Sequence, residues 1–230
     1  MGLTPPPNHT QGMGPVFAWP VRPKGAFYVS AGYLDPNYKR RFGVPHTGED
    51  WNLRTGGDSD LGYPVQAIFP GRVVAAGYYR VWGNLVVVEA DPWVKDFWAE
   101  RLGEPLEALY ARYAHLHHLT VARGDRVEAN DHLGSIGKGD GGRYLAHLHL
   151  DFPRLPIPPE AYPSQEAQVR AQYLDPARVW RALAFGDRSN LLPQGPLYAP
   201  ARLFVGDAEA LQGPLLLRQV GDKLYARSDA

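Results

Sequence analysis

The 230-residue sequence has no cysteine, which removes disulfides, thiolate metal sites and a cysteine nucleophile together. A metal site in this chain has to be built from nitrogen and oxygen. No apolar run approaches the length of a membrane-spanning helix. The first twenty residues, with five prolines, contain no continuous apolar stretch of the signal-peptide kind. Nor is there an excess of charge: 24 basic and 24 acidic side chains leave a formal balance of zero with neutral histidines, so no broad attraction to nucleic acid or anionic lipid is expected. Three signatures are also missing. There is no His-Glu-x-x-His of the helix-borne zincin site and no Gly-x-Ser-x-Gly nucleophile elbow. The Gly-rich stretch Gly137-Lys138-Gly139-Asp140-Gly141-Gly142 lacks the spacing and Lys-Ser/Thr end of a phosphate loop, and reads instead as a loop that lets backbone approach a site.

What is present is an apolar fraction of 44 %, enough for a real core, together with 22 prolines and 25 glycines. Without low-complexity repeats, that much Pro and Gly implies many turns between short strands. Residues 1–24 read as a Pro-rich arm. Strand signals follow at Phe27–Ser30, Asp50–Leu53, Pro64–Ile68, Arg72–Gly77, Asn84–Glu89, Leu109–Leu116 and Leu145–Phe152. Asp35–Pro45 reads as a polar, basic loop, and Asp91–Pro105, with Trp93, Phe97 and Trp98, as a short helical insertion. Helices are expected near Ser164–Gln172 and over Asp175–Ala184, the second opened by an Asp-Pro pair suited to an N-cap and first helical residue. Leu215–Arg218 and Lys223–Ala226 suggest a hairpin across Gly221-Asp222. The pattern predicts a mostly β fold, an antiparallel sandwich or barrel-sandwich hybrid with a few short helices toward the C-terminus. One domain is expected over residues 25–185 and an extension over 186–230.

The candidate chemistry lies in the histidines. Alternation on a strand turns His147 and His149 to one face, and Leu148 and Leu150 to the other. An earlier pair, His115 and His117, has the same spacing, and spacing alone does not say which pair supplies a metal ligand. In His46-Thr47-Gly48-Glu49-Asp50 an imidazole and a carboxylate stand four residues apart on a loop entering a strand, where both can reach one point. Asp50 precedes Trp51 at a core edge, so it needs a charge, a metal or backbone amides to offset its burial. Two imidazoles and a carboxylate suit a zinc ion whose fourth position is left for water. His9, His118 and His132 have no partner pattern and read as surface residues.

Taken in order, these motifs resemble the M23 family of zinc metallopeptidases, the LytM/lysostaphin type that cleaves peptidoglycan cross-bridges. The family's His-x-x-x-Asp, strand-borne Tyr-x-His and final His-x-His are matched by His46/Asp50, Tyr113-Ala114-His115 and His147-Leu148-His149. The text between also resembles it: Pro64–Ala67 with Gly71–Gly77, Gly83–Val88, Gly124–Val127, Leu133–Gly137 and the closing Leu174-Asp175-Pro176. The resemblance implies a zinc-dependent endopeptidase acting on peptidoglycan peptides outside the cytoplasm, with ligands His46, Asp50 and His149. It makes His115 and His147 the non-ligand catalytic histidines and His117 a bystander. On that reading zinc polarises the scissile carbonyl, one of His115 and His147 takes a proton from water, and the other donates to the oxyanion, with Tyr113 as a further donor. The chain departs from the family at Gly139–Ala146, where a Thr-Gly run is usual, so the groove wall there is expected to differ and substrate choice with it. Two other readings compete. One is a non-catalytic M23-like module that binds or regulates cell-wall hydrolases. The other is a barrel-sandwich phosphocarrier that uses His115 and His147 as a close pair.

Overall fold

Turn residues cut the chain into short strands, and nearly all of them join one sheet. The computed structural model describes residues 17–185, 215–220 and 223–228. In chain order the strands and helices are β1 (Phe27–Ala31), α1 (Pro36–Phe42), β2 (Glu49–Leu53), β3 (Pro64–Gln66), β4 (Gly71–Tyr79), β5 (Gly83–Ala90), α2 (Pro92–Leu102), β6 (Tyr110–Leu119), β7 (Arg126–Val127), β8 (His132–Ile136), β9 (Leu148–Pro153), α3 (Glu166–Gln172), β10 (Tyr173–Leu174), α4 (Pro176–Phe185), β11 (Leu215–Val220) and β12 (Lys223–Ser228). The chain divides into two compact units, Met1–Ala182 and Leu183–Ala230. In the second, β11 and β12 pair antiparallel from Leu215↔Ser228 to Val220↔Lys223. The expected turn at Gly221-Asp222 lies outside the described residues.

The first unit is a mostly antiparallel sheet with short helices, in the path β1-β2-β9-β6-β5-β4-β7, and this path does not close on itself. Strand β6 is its hub: it pairs with β5, with β9 and, toward its end, with β8. Alternation sorts the central strands into two faces. One carries Val86, Val88, Ala111, Tyr113, Leu148, Leu150 and Phe152, all fully buried. The indole of Trp98 on α2 meets Phe69 and Phe152 edge-on, with ring centroids 5.4 Å apart in both cases. Buried Glu49 lies on this core side, where Oε2 accepts from the indole N–H groups of Trp51 at 3.1 Å and Trp180 at 2.8 Å. The other face, reached by Asp50, Arg112, Ala114, His149 and Asp151, carries the polar chemistry.

Two expectations are corrected. Asp35–Pro45 is not a loop: its centre is helix α1, with Pro36 at the first helical position and the Asp35 carboxylate accepting from the Asn37 amide at 2.7 Å and the Tyr38 amide at 3.4 Å. This is the same Asp-Pro start that opens α4, here on a helix whose basic residues hid it. Of the arm expected over residues 1–24, residues 1–16 lie outside the described residues, and residues 17–24 are packed rather than loose. Ala18 and Val21 are buried, and the backbone bonds Ala18 N–H to Ile68 O and Gln66 N–H to Pro20 O tie the segment down. No helix among the described residues is long and apolar enough to cross a membrane.

Candidate metal centre and catalytic cleft

Register builds the floor of the site. Asp50 on β2, His149 on β9 and Ala114 on β6 are consecutive cross-strand neighbours, so their side chains share one face, where Ala114 is buried in an apolar cluster with Trp82. His46 arrives from the turn before β2. Gly48 lets that turn close onto β9, because a Cβ there would stand 2.1 Å from the Leu150 carbonyl oxygen. His46 Nε2, Asp50 Oδ1 and His149 Nδ1 then form a triangle with sides of 3.1, 3.0 and 3.0 Å, and all three residues are buried.

The far nitrogens fix the chemistry of this triangle. His46 Nδ1 lies 2.8 Å from the Gly32 carbonyl oxygen, so it is the protonated nitrogen and donates. His149 Nε2 lies 3.1 Å from Asp151 Oδ2 and likewise donates. The two nitrogens that meet inside are therefore lone pairs in the neutral rings, facing each other and a carboxylate oxygen. Burial by itself favours the neutral form of Asp50, but the imidazoles of His46, His149 and His147 outweigh it and hold the carboxyl well below the usual carboxylate range. Burial works against the charged form of His149 too, and the carboxylates of Asp151 and Asp50 overcome it, raising its pKa. The acceptor geometry of the triangle calls for positive charge at its centre. A proton bridges only two of the three acceptors, whereas a divalent cation meets all three.

Behind His149 stands a group the sequence reading did not find. Fully buried Asp151 accepts from Arg112 Nε at 3.1 Å, from Arg112 Nη2 at 2.5 Å and from the Thr47 hydroxyl at 2.7 Å. Arg112 Nη1 donates to the carbonyls of Pro159 and Ala161, each at 2.9 Å, and its guanidinium lies 4.0 Å from the Trp82 ring centroid. The signal was present: Asp151 is two residues past His149, so it shares that face of the strand. Tyr38 on α1 was missed with its helix; its ring stacks on His46 at 4.1 Å between centroids.

His115 comes to lie beside His147 because β6 is irregular. Ala114 and His115 together stand opposite the single residue Leu85 between the pairs Val86↔Tyr113 and Asn84↔Leu116, and His115 has φ 64°. Such a bulge re-aims one side chain, and it separates His115 from Tyr113, which regular alternation would keep on the same face. Tyr113, expected as a further donor to the oxyanion, stays on the core side, where its hydroxyl oxygen accepts from the Ile68 amide at 2.9 Å. It is a core residue, and that expectation is corrected. The imidazole of His115 lies 4.7 Å from that of His147 between ring centroids. Nδ1 of His115 donates to Trp82 O at 2.9 Å and Nδ1 of His147 to Leu145 O at 2.8 Å, which leaves both Nε2 atoms as the lone-pair nitrogens of the neutral rings. Burial above all, then the neighbouring His147 and His149, depress the His115 pKa well below the usual imidazole value. His147 Nε2 lies 3.7 Å from Asp50 Oδ1. His117, His118 and His132 are exposed; His9 lies outside the described residues.

A cleft of about 690 Å³ opens onto Asp50 and His147, walled by α1 on one side and by residues 138–145 on the other. Gly139, at φ 70°, lets the second wall lie against His115, since a Cβ there would approach His115 Nδ1 to 2.9 Å. A separate cavity of about 460 Å³ beside Pro156–Glu160 contains none of the site histidines.

A family model described as peptidase family M23 matches residues 44–157. Among solved structures, the chain is similar to that of the SpoIIQ–SpoIIIAH pore-forming complex, at 20 % identity over 71 % of this chain and 89 % of that one, TM-score 0.48. It is similar to the catalytic domain of the antimicrobial peptidase lysostaphin from Staphylococcus simulans, at 21 % identity over 62 % and 90 %, TM-score 0.40. It is also similar to the catalytic domain of a point mutant of the prophage-encoded M23 protein EnpA from Enterococcus faecalis, at 20 % identity over 66 % and 89 %, TM-score 0.44. No curated protein matches the chain.

Proposed function

We propose that this chain, which belongs to peptidase family M23, is a zinc-dependent endopeptidase that hydrolyses peptide cross-links of bacterial peptidoglycan, outside the cytoplasm. The observation that carries the reading is the triangle of His46 Nε2, Asp50 Oδ1 and His149 Nδ1, three acceptors held 3.0–3.1 Å apart with no donor between them to reconcile them all. Ligand atoms about 2.0–2.1 Å from a tetrahedral zinc stand about 3.3–3.4 Å apart, so a slight opening of the triangle accommodates the ion.

Held there, zinc supplies Lewis acidity toward the scissile carbonyl and the attacking water. The proton chemistry belongs to the chain. His115 is neutral near pH 7 because of its burial, and Nδ1 is committed to Trp82 O, so Nε2 is the atom that takes the proton of the attacking water. His147 borders the cleft beside the Asp50 carboxylate; with Nδ1 held by Leu145 O, it donates only as the imidazolium, from Nε2–H to the oxygen that gains charge, while His115 passes the proton it took to the leaving nitrogen. Asp151 and Gly32 O hold the two ligand imidazoles in the tautomer the ion requires. We assign the activity to residues 25–185, with 186–230 as an extension.

The test is digestion of purified sacculi by the zinc-loaded chain, with released fragments identified by mass spectrometry. New peptide ends that vanish with chelator and return with zinc are the expected result. Stoichiometric zinc with no released fragments, from sacculi or from isolated cross-linked peptides, overturns it.

A further inference from the structure

The two walls of the cleft carry like charge. Helix α1 contributes Arg41, and the facing wall contributes Lys138 and Arg143. Lys138 is already neutralised, with Nζ 2.7 Å from Asp58 Oδ2. The acids near the other two are committed elsewhere. Asp35, which also lines the cleft, caps α1 through the Asn37 and Tyr38 amides. Asp140, whose charge is coupled to Arg143, accepts from the Tyr78 hydroxyl and the Val81 amide. Arg41 and Arg143 are exposed, and neither makes an ion pair among the described residues. Beside them Phe42 and Leu145 are 42 % and 63 % exposed. The lining thus combines two guanidiniums without an ion-pair partner, that of Arg41 lying 5.1 Å from the Phe42 ring centroid, with apolar surface at the mouth of the site.

A guanidinium presents a planar fork of donors matched to a carboxylate. An uncharged chain such as oligoglycine gives these forks nothing better than water does. A peptide with a free carboxylate near the bond to be cut gains charge-assisted hydrogen bonds at no cost to an existing ion pair. We propose that Arg41 and Arg143 make this enzyme selective for peptides carrying a free carboxylate close to the scissile bond. The proposal rests on the hydrolase reading above and names the substrate chemistry of that site.

The experiment uses the full chain loaded with zinc and two quenched fluorescent peptides, identical except that one has a carboxylate and the other a carboxamide beside the cleavable bond. Both kcat/KM and equilibrium binding by anisotropy are measured, for the wild type and for the double variant Arg41→Gln, Arg143→Gln. Two exposed charge pairs support a preference of roughly tenfold for the carboxylate peptide. It is expected mainly in KM, shrinking toward one in the double variant and in about 0.5 M salt. Equal binding and cleavage of the two peptides by the wild type overturns the proposal, as does a preference that survives the double substitution. Arginine-dependent binding of the carboxylate peptide with cleavage of neither leaves this proposal standing and sinks the hydrolase reading instead.

Discussion

The floor and the walls of one cleft are built on opposite terms. On the floor every imidazole has a nitrogen fixed by a protein oxygen: His46 by Gly32, His115 by Trp82, His147 by Leu145 and His149 by Asp151. On the walls Arg41 and Arg143 reach into the cleft without an ion-pair partner. A buried polar group left unpaired costs more than a hydrogen bond gains, so the floor tolerates little change. An exposed side chain with no partner changes without disturbing the fold. On the proposed reading, the contrast separates what performs the reaction from what chooses its substrate.

The largest effects are expected where the triangle is cut. Asp50→Ala and His149→Ala each remove one of the three proposed ligands and should abolish both zinc retention, read by elemental analysis, and cleavage. His115→Ala sharpens the contrast within the floor: it should keep zinc while losing about 10²–10⁴-fold in kcat, the usual contribution of a general base. A fully active His115→Ala enzyme defeats the role given to that residue.

How much of this the sequence revealed depends on whether the deciding feature is local. The shared face of His147 and His149 follows from strand period alone, and the Asp175-Pro176 helix start from two adjacent residues. The re-aiming of His115 does not. It depends on a left-handed residue in β6 and on β6 leaving β9 for β8, as Ala114↔His149 gives way to Leu116↔Ile136; a long-range pairing of this kind has no local signature. The side to which Tyr113 points was lost for the same reason. Asp151 was within reach of the period-2 argument, but its partner Arg112 sits on another strand, and nothing in the spacing joined them. Helix α1 was legible from Asp35-Pro36 and was obscured by its polar composition.

A middle-sized effect tests whether Asp151 belongs to the floor. Asp151→Asn leaves Arg112 buried without a charge partner, a loss of about 3–5 kcal/mol for pairs of this kind, and should weaken zinc binding about 10–100-fold by loosening His149. The acid dependence has a definite sign. Burial raises the Asp151 pKa, but Arg112 and His149 outweigh it and the net shift is downward. The carboxylate therefore stabilises the fold at pH values above its unfolded pKa of about 3.9, and this contribution fades as pH falls below that value. Thermal unfolding of the metal-free proteins should show a gap between wild type and Asp151→Asn that is wide near neutrality and narrows on acidification. A gap independent of pH would remove the ion pair as its cause.

The smallest change in rate is expected at Tyr113, which stands one residue from Ala114 in the catalytic row yet faces the core. Its hydroxyl is the partner of the buried Ile68 amide, so Tyr113→Phe orphans that donor and should cost about 1–3 kcal/mol of stability. Because the ring lies on the far side of β6 from Asp50 and His149, zinc affinity and kcat should stay at wild-type values once the protein is folded. A transition-state donor behaves in the reverse manner, with stability kept and about a hundred-fold or more of the rate lost. Measuring both quantities on one variant tells apart two residues that sequence spacing cannot separate, since Tyr113 and His115 differ by two positions and only the bulge between them sends one to the core and the other to the side of His147.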